Sequence, residues 1–212
     1  MTVPFVRSIF TVLNVRYNVN RKVFALRSMP KETYIPSLMR LFRQYGYDGA
    51  TLSKISQATG LGKASLYHHF PGGKDEMVES MLDYLKRWLD QNILQTLNSP
   101  DEPLSRLQHM CDRVNEVYEG GKQPCLFAIL LLGSARDVFH DRVKAIYRVW
   151  IDAIATVLIE CGMSEELAQQ RAQDAVAAIQ GSLIVSQGLD DPSGFVRLMQ
   201  HLPEELCKVT LP

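Results

Sequence analysis

Three observations predict an all-α chain of about nine helices in two domains. Apolar residues recur at steps of three and four through almost every segment after residue 30. Clusters of turn-forming residues interrupt that pattern, and no run of alternating β-branched residues appears past the same point. The stripes, in order, begin with Ile35, Leu38, Phe42 and Tyr45, then Val78, Leu82, Leu85, Leu89 and Ile93. Leu104, Leu107, Cys111, Val114 and Tyr118 follow. The longest stripe is Phe139, Val143, Ile146, Trp150, Ile154, Val157 and Cys161, and the last is Phe195, Leu198, Leu202, Leu206 and Val209. The breakers between them are "YGYDGAT" at 45–51, "FPGGK" at 70–74, "NSPDEP" at 98–103, "EGGKQP" at 119–124, "CGMSEE" at 161–166 and "LDDPSG" at 189–194. Thr51 stands where an N-cap belongs, Asp75 and Glu76 suit a first turn, and Pro192 precedes a further helix.

The first three helices, near 31–45, 52–59 and 63–69, are short and closely spaced, and the later ones are long. That contrast places a domain boundary after residue 75, giving a small domain over 29–75 and a larger one over 76–212. Residues 1–28 read as an extension, disordered or not natively translated, with synthesis starting at Met29. The functional alternative is a basic arm that touches DNA.

With 212 residues, 46% hydrophobic and 22% charged, the chain has the make-up of a globular protein. Its net charge of zero hides an asymmetry. Residues 1–28 hold five basic side chains and no acid, residues 29–75 sum to +3, and residues 76–212 sum to −8. A basic N-terminal third points to a polyanionic partner at that end. The four cysteines, Cys111, Cys125, Cys161 and Cys207, form no paired spacing and read as reduced, buried thiols of a cytoplasmic protein. "CLFAILLLG" is about half the ~20 residues a membrane span needs, so no membrane partner is expected. Arg7, Arg16 and Arg21 interrupt the apolar N-terminal stretches and no small-residue cleavage site follows, so no signal peptide is expected.

The stretch "LGKASLYHHFPGGKDEM" sets Tyr67, His68 and His69 in a row, with Lys63 before them and Lys74 after. On a helix these rings point about 100° apart, so no single core takes all three. Upstream, Leu52, Ile55 and Ala58 provide an inner face for a two-turn helix, and Gly60 suits its left-handed end. Small Ser56 lets a second helix approach, which Leu66 and Phe70 anchor. This is helix-turn-helix logic, with the second helix presented to a DNA major groove.

Tyr34 to Met77, through "LF..YGYDGAT", "ISQATGLGKASLYHHF" and the lysine opening the fourth helix, resembles the DNA-binding domain of the TetR family of bacterial repressors. The "HHFPGGK" ending resembles its LmrA/YxaF-like branch. Two positions depart from the common pattern: Ser56, where alanine is usual, and Gly62, where serine or threonine is common. The resemblance implies a homodimeric, ligand-responsive transcriptional regulator, released from a palindromic double-stranded operator by a small-molecule effector. It implies that Gly62, Lys63, Ala64 and Ser65 form a slim end set close to DNA. Tyr67 and His68 would face groove and backbone, with His69 less exposed. Lys63 and Lys74 would neutralise phosphates, to which Thr51 and Ser53 would donate. The bland alternative is that Tyr67 and His69 are structural rings packed on the first helix.

The larger domain, by the same resemblance, holds an effector pocket among its helices, near Trp88, Met110, Tyr118, Phe127, Tyr147 and Trp150, with core packing as the alternative for each. In the absence of an evident buried charge pair, an apolar or aromatic effector is expected over an ionic one. The Ala-, Gly- and Ser-rich eighth helix, with Ala175, Ala178, Gly181 and Ser182, suits close packing across a two-fold axis. The resemblance adds the ninth helix to that interface, with Leu198 and Leu202, against the alternative of packing within the chain. No cofactor is expected. Adjacent histidines cannot share a metal, "PGGK" lacks the glycine a phosphate loop needs at position 68, and His109 with Cys111 do not face each other on a helix. Enzymatic chemistry is therefore not expected. The competing function is that of a helical small-molecule-binding protein that does not read DNA.

Overall fold

The computed structural model describes residues 29–208, so the expectations for residues 1–28 and the contribution of Val209 lie outside it. Among the described residues there are nine helices and no strand. They are α1 (Ile35–Gly49, entered by a 3-10 turn over Lys31–Tyr34), α2 (Leu52–Thr59), α3 (Lys63–His69), α4 (Gly73–Leu89), α5 (Pro103–Val117), α6 (Leu126–Leu130), α7 (Ala135–Glu160), α8 (Glu165–Leu189) and α9 (Ser193–Cys207). α4 runs on through a π turn at Asp90–Leu94 and a last turn at Gln95–Leu97.

Two compact units result, one holding residues 29–41 and 50–81, the other residues 42–49 and 82–208. The end of α1 thus goes with the larger unit, and the first turns of α4, through Met81, go with the smaller. At Gly46 the backbone turns left-handed (φ 67°), which ends the regular helix where the periodicity also ends. Beyond it, the Tyr47 ring meets Phe139 edge-on at 5.7 Å, and the Asp48 carboxylate accepts hydrogen bonds from the Ser134 hydroxyl and backbone N–H at the start of α7.

In the smaller unit, Ile35, Leu38, Ile55, Leu61, Leu66, Phe70, Met77 and Val78 form the core. α2 contributes less to it than its pattern promised. Ile55 is fully buried, but Leu52 is 37% exposed and Ala58 is exposed. Steps of three rotate by about −60° each, so residues 52 and 58 swing off opposite flanks of the face that Ile55 centres. Thr51 caps α2, its hydroxyl accepting from the Lys54 N–H at 3.4 Å, and Gly60 ends it left-handed at φ 71°. The turn is tied by hydroxyls. Ser56 donates to the Leu61 carbonyl, Thr59 donates to the Ile55 carbonyl at 2.7 Å and accepts from the Leu61 N–H at 3.3 Å. Ser56 thus does more than stay small.

In the larger unit α7 packs on α8, α9 packs on α5 and α8, and α6 lies against α7. α8 is capped at its start by Ser164, whose hydroxyl accepts from the Leu167 N–H at 3.3 Å. Arg106 is buried, donating to the Leu97 carbonyl at 2.9 Å and pairing with Glu160, whose carboxyl the guanidinium holds below its usual range. Cys111 and Cys125 are buried as expected; Cys161 and Cys207 are half-buried free thiols whose sulfurs lie 3.7 Å apart.

Candidate nucleic-acid interface and internal cavity

The first three helices decide which side chains the smaller unit can offer. α3 is anchored by Leu66 and Phe70, both essentially without solvent contact. That orientation exposes Lys63, Ala64, Tyr67 and His68, residues that fall on one stripe of the helix at i, i+1, i+4 and i+5. Thr51, Ser53 and Gly62 are exposed as well. Lys74 is half-buried. Ser65 faces inward at 5% exposure, so its side chain is withdrawn from the stripe. The three consecutive rings divide accordingly. Tyr67 and His68 stand in solvent, while His69 is half-buried with its ring 5.1 Å from that of Tyr34.

Lys63 has no carboxylate partner among the described residues, which leaves its charge available. The "PGGK" turn sets the edge of this surface. Gly73 opens α4 at φ 68°, a conformation in which only glycine is at ease, and the Gly72 N–H donates to the Glu76 carboxylate at 2.8 Å. Glu76 is in turn paired with Lys31 at 3.6 Å.

The larger unit encloses a cavity of about 40 Å³. Leu85, Trp88, Leu89 and Ile93 of α4, Val114, Val117 and Tyr118 of α5, Cys125, Leu126 and Phe127 at α6, Trp150 of α7 and Arg43 of α1 line it. Four of the six expected pocket residues, Trp88, Tyr118, Phe127 and Trp150, meet there. Met110 lies behind the wall, fully buried, its sulfur accepting the Trp150 indole N–H at 3.5 Å. Tyr147 stacks edge-on against Phe127 at 5.7 Å and lines instead a surface groove of about 540 Å³ beside α8. The Tyr118 hydroxyl donates to the Cys125 sulfur at 3.3 Å. Burial first, then Cys125, pushes both the Tyr118 and Tyr147 hydroxyls up, so both remain neutral donors. Arg43 is the residue that sequence reasoning missed. Its position between Phe42 and Tyr45 of the first stripe gave no signal, because only the packing of residues 42–49 within the larger unit decides that residue 43 lines the cavity.

α8 buries Ala175 and leaves Ala178 and Gly181 exposed, with Ser182 half-buried. Around them Ile184, Val185 and Leu189 are 64%, 58% and 70% exposed, which gives the helix an apolar outer face. α9 is the reverse. Leu202 is buried and Leu198 half-buried within the chain, while its outer positions are Arg197, Gln200, His201, Glu204 and Glu205.

A short helix held by its apolar side, with a lysine and two rings on its outer side, and joined to α2 through left-handed Gly60, has the arrangement of a helix-turn-helix. Comparison with known proteins places it further. Residues 37–81 match the profile of bacterial regulatory proteins of the tetR family, and residues 103–201 match the C-terminal domain of LmrA/YxaF-like transcriptional regulators. The chain belongs to the TetR family of bacterial transcriptional regulators. It is 26% identical to the HTH-type transcriptional regulator LmrA of Bacillus subtilis, covering 83% of this chain and 96% of that one. To the uncharacterized regulator YxaF of the same organism it is 23% identical, over 84% and 95% of the two chains. The icaADBC biofilm-operon negative regulator IcaR of Staphylococcus aureus is 37% identical, but over 29% of this chain and 35% of its own. Among solved structures, a TetR regulator from Legionella pneumophila superposes with a TM-score of 0.73 at 19% identity, over 85% and 98% of the chains, which supports the fold. No helix among the described residues is long and apolar enough to cross a membrane.

Proposed function

We propose that this regulator is a cytoplasmic homodimeric repressor whose two α3 helices read successive major grooves of a pseudo-palindromic operator, and which a small aromatic effector releases. The observation that carries the proposal is the single exposed stripe of Lys63, Ala64, Tyr67 and His68 on a helix fixed from behind. Thr51, Ser53, Gly62 and Lys74 extend it toward phosphates, His69 sits at its margin, and Ser65 is left out. Half-sites would lie about 34 Å apart, or a multiple of that. Repression is favoured by the likeness, over 65 residues, to IcaR, a negative regulator by name.

The apolar outer face of α8, with Ala178, Gly181 and Ser182 at its centre, is the proposed dimer contact, since exposed aliphatics in such a row need covering. Ala175, Leu198 and Leu202 support it from within the chain. The cavity ringed by Trp88, Tyr118, Phe127 and Trp150, with Met110 and Tyr147 behind them, is the proposed effector site. An effector acts only by binding the released state more tightly than the operator-bound one, typically by about 1–3 kcal/mol of coupling.

Fluorescence anisotropy of the protein with its own upstream intergenic DNA, against a scrambled duplex at two salt concentrations, tests the reading. Sequence-preferring binding that weakens steeply with salt is expected, with a log–log slope near −0.9 per phosphate contact. Equal, weak binding to both duplexes would favour the competing function, a helical ligand-binding protein.

A further inference from the structure

We infer that the effector is an aromatic carboxylate whose anionic group is received by Arg43, an inference that rests on the cavity being the effector site. The cavity wall is otherwise apolar, aromatic or internally satisfied. The Tyr118 hydroxyl is engaged by Cys125 and the Trp150 indole by Met110. No acidic side chain lines it. Arg43 is the exception. Its side chain is half-buried and its Nε is shut off from solvent without an acceptor. Among the described residues no hydrogen bond, ion pair or stacked ring holds the guanidinium. A guanidinium keeps its charge at any physiological pH, so loss of a proton cannot relieve this arrangement. An unpaired guanidinium on the wall of an otherwise apolar cavity lacks an acceptor, and a planar carboxylate meeting its fork is the group that best supplies one.

The aromatic half of the ligand follows from Trp88, Phe127 and Trp150. At about 40 Å³ the cavity is well below the roughly 150 Å³ that houses a benzene ring, so binding must open it. Half-exposed Trp88 is the wall residue placed to yield. Arg43 stands on α1, the helix whose first turns belong to the DNA-reading unit, so a ligand that draws on Arg43 draws on that helix.

Naphthalene-2-carboxylate and its neutral counterpart naphthalene-2-carboxamide, titrated calorimetrically into the intact protein, provide the test. The carboxylate should bind about tenfold tighter or more. Arg43→Met, which keeps the aliphatic stem, should bring the two within about threefold of each other by weakening the carboxylate. The variant should also unfold within about 5 °C of the wild type, because no group of the chain holds the guanidinium. Equal affinities in the wild type, or a preference that survives in Arg43→Met, would overturn the inference and leave the cavity open to neutral ligands. A fall in unfolding temperature of more than about 5 °C would give the guanidinium a structural duty and overturn it as well. Binding of neither probe would overturn both this inference and the reading of the cavity.

Discussion

In the smaller unit Tyr67 and His68 stand in solvent on a seven-residue helix, while in the larger unit Trp150, Phe127 and Tyr118 are enclosed around a cavity of about 40 Å³. The same residue types therefore face opposite constraints. A ring left in water contributes little to folding and is free to touch something outside the chain. A ring inside a bundle contributes to folding first, and any ligand must compete with that packing. The difference teaches where substitution separates function from stability: cleanly on α3, poorly around the cavity.

The largest expected effect sets two neighbours on α3 apart. Phe70→Ala should cost about 3–5 kcal/mol of stability in denaturant unfolding, as removal of a fully buried phenyl does elsewhere, whereas Tyr67→Ala should stay within about 0.5 kcal/mol. If Tyr67→Ala costs as much as Phe70→Ala, Tyr67 is a structural ring and the contrast between the units collapses.

That contrast also explains what was legible in the sequence. The bounds of α2, α3 and α8, the Thr51 cap and the left-handed Gly60 were all readable, because propensity, capping and periodicity act within a few residues. So was the outward stripe of α3, since two anchors at positions 66 and 70 fix the rotation of so short a helix. The inward turn of Ser65 was not, since it stands about 100° from Leu66 and the family resemblance sets it in the slim end close to DNA. Arg43 and the assignment of residues 42–49 to the larger unit were not readable. Both depend on contacts with residues far along the chain, such as Asp48 with Ser134, for which a single sequence has no signal. The fate of α9 was open for a related reason. Its apolar stripe was evident, but whether α5 and α8 of the same chain or a second copy covers it is a tertiary choice.

Next in size is the dimer. Ile184→Glu places a charge on the exposed apolar face of α8 and should yield a monomer by light scattering, with operator affinity falling about a hundredfold or more as each half-site is bound alone. A variant that stays dimeric would move the interface off α8. Smaller again is direct readout. Tyr67→Ala should weaken operator binding by about 1–3 kcal/mol if its ring touches a base edge. Lys63→Ala should weaken binding to all sequences alike and make the salt slope shallower by about one. Sequence-selective loss from Lys63→Ala would reassign it from phosphate to base.

The smallest effect gives the sharpest comparison, because the two units carry the same device. Thr51 caps α2 and Ser164 caps α8, each hydroxyl accepting from the N–H three residues on, at 3.4 and 3.3 Å. Each alanine variant should lose about 1 kcal/mol of stability, since each leaves one helix-end donor unsatisfied. Their effects on DNA should differ. Ser164 lies in the larger unit and its loss should leave operator affinity untouched, whereas Thr51 is exposed beside the α3 stripe and its hydroxyl can accept from Lys54 while donating to a phosphate. Thr51→Ser keeps cap and donor and should restore both properties. If Thr51→Ala loses stability alone, Thr51 is a cap and nothing more, and the phosphate-facing edge of the reading surface begins at Ser53.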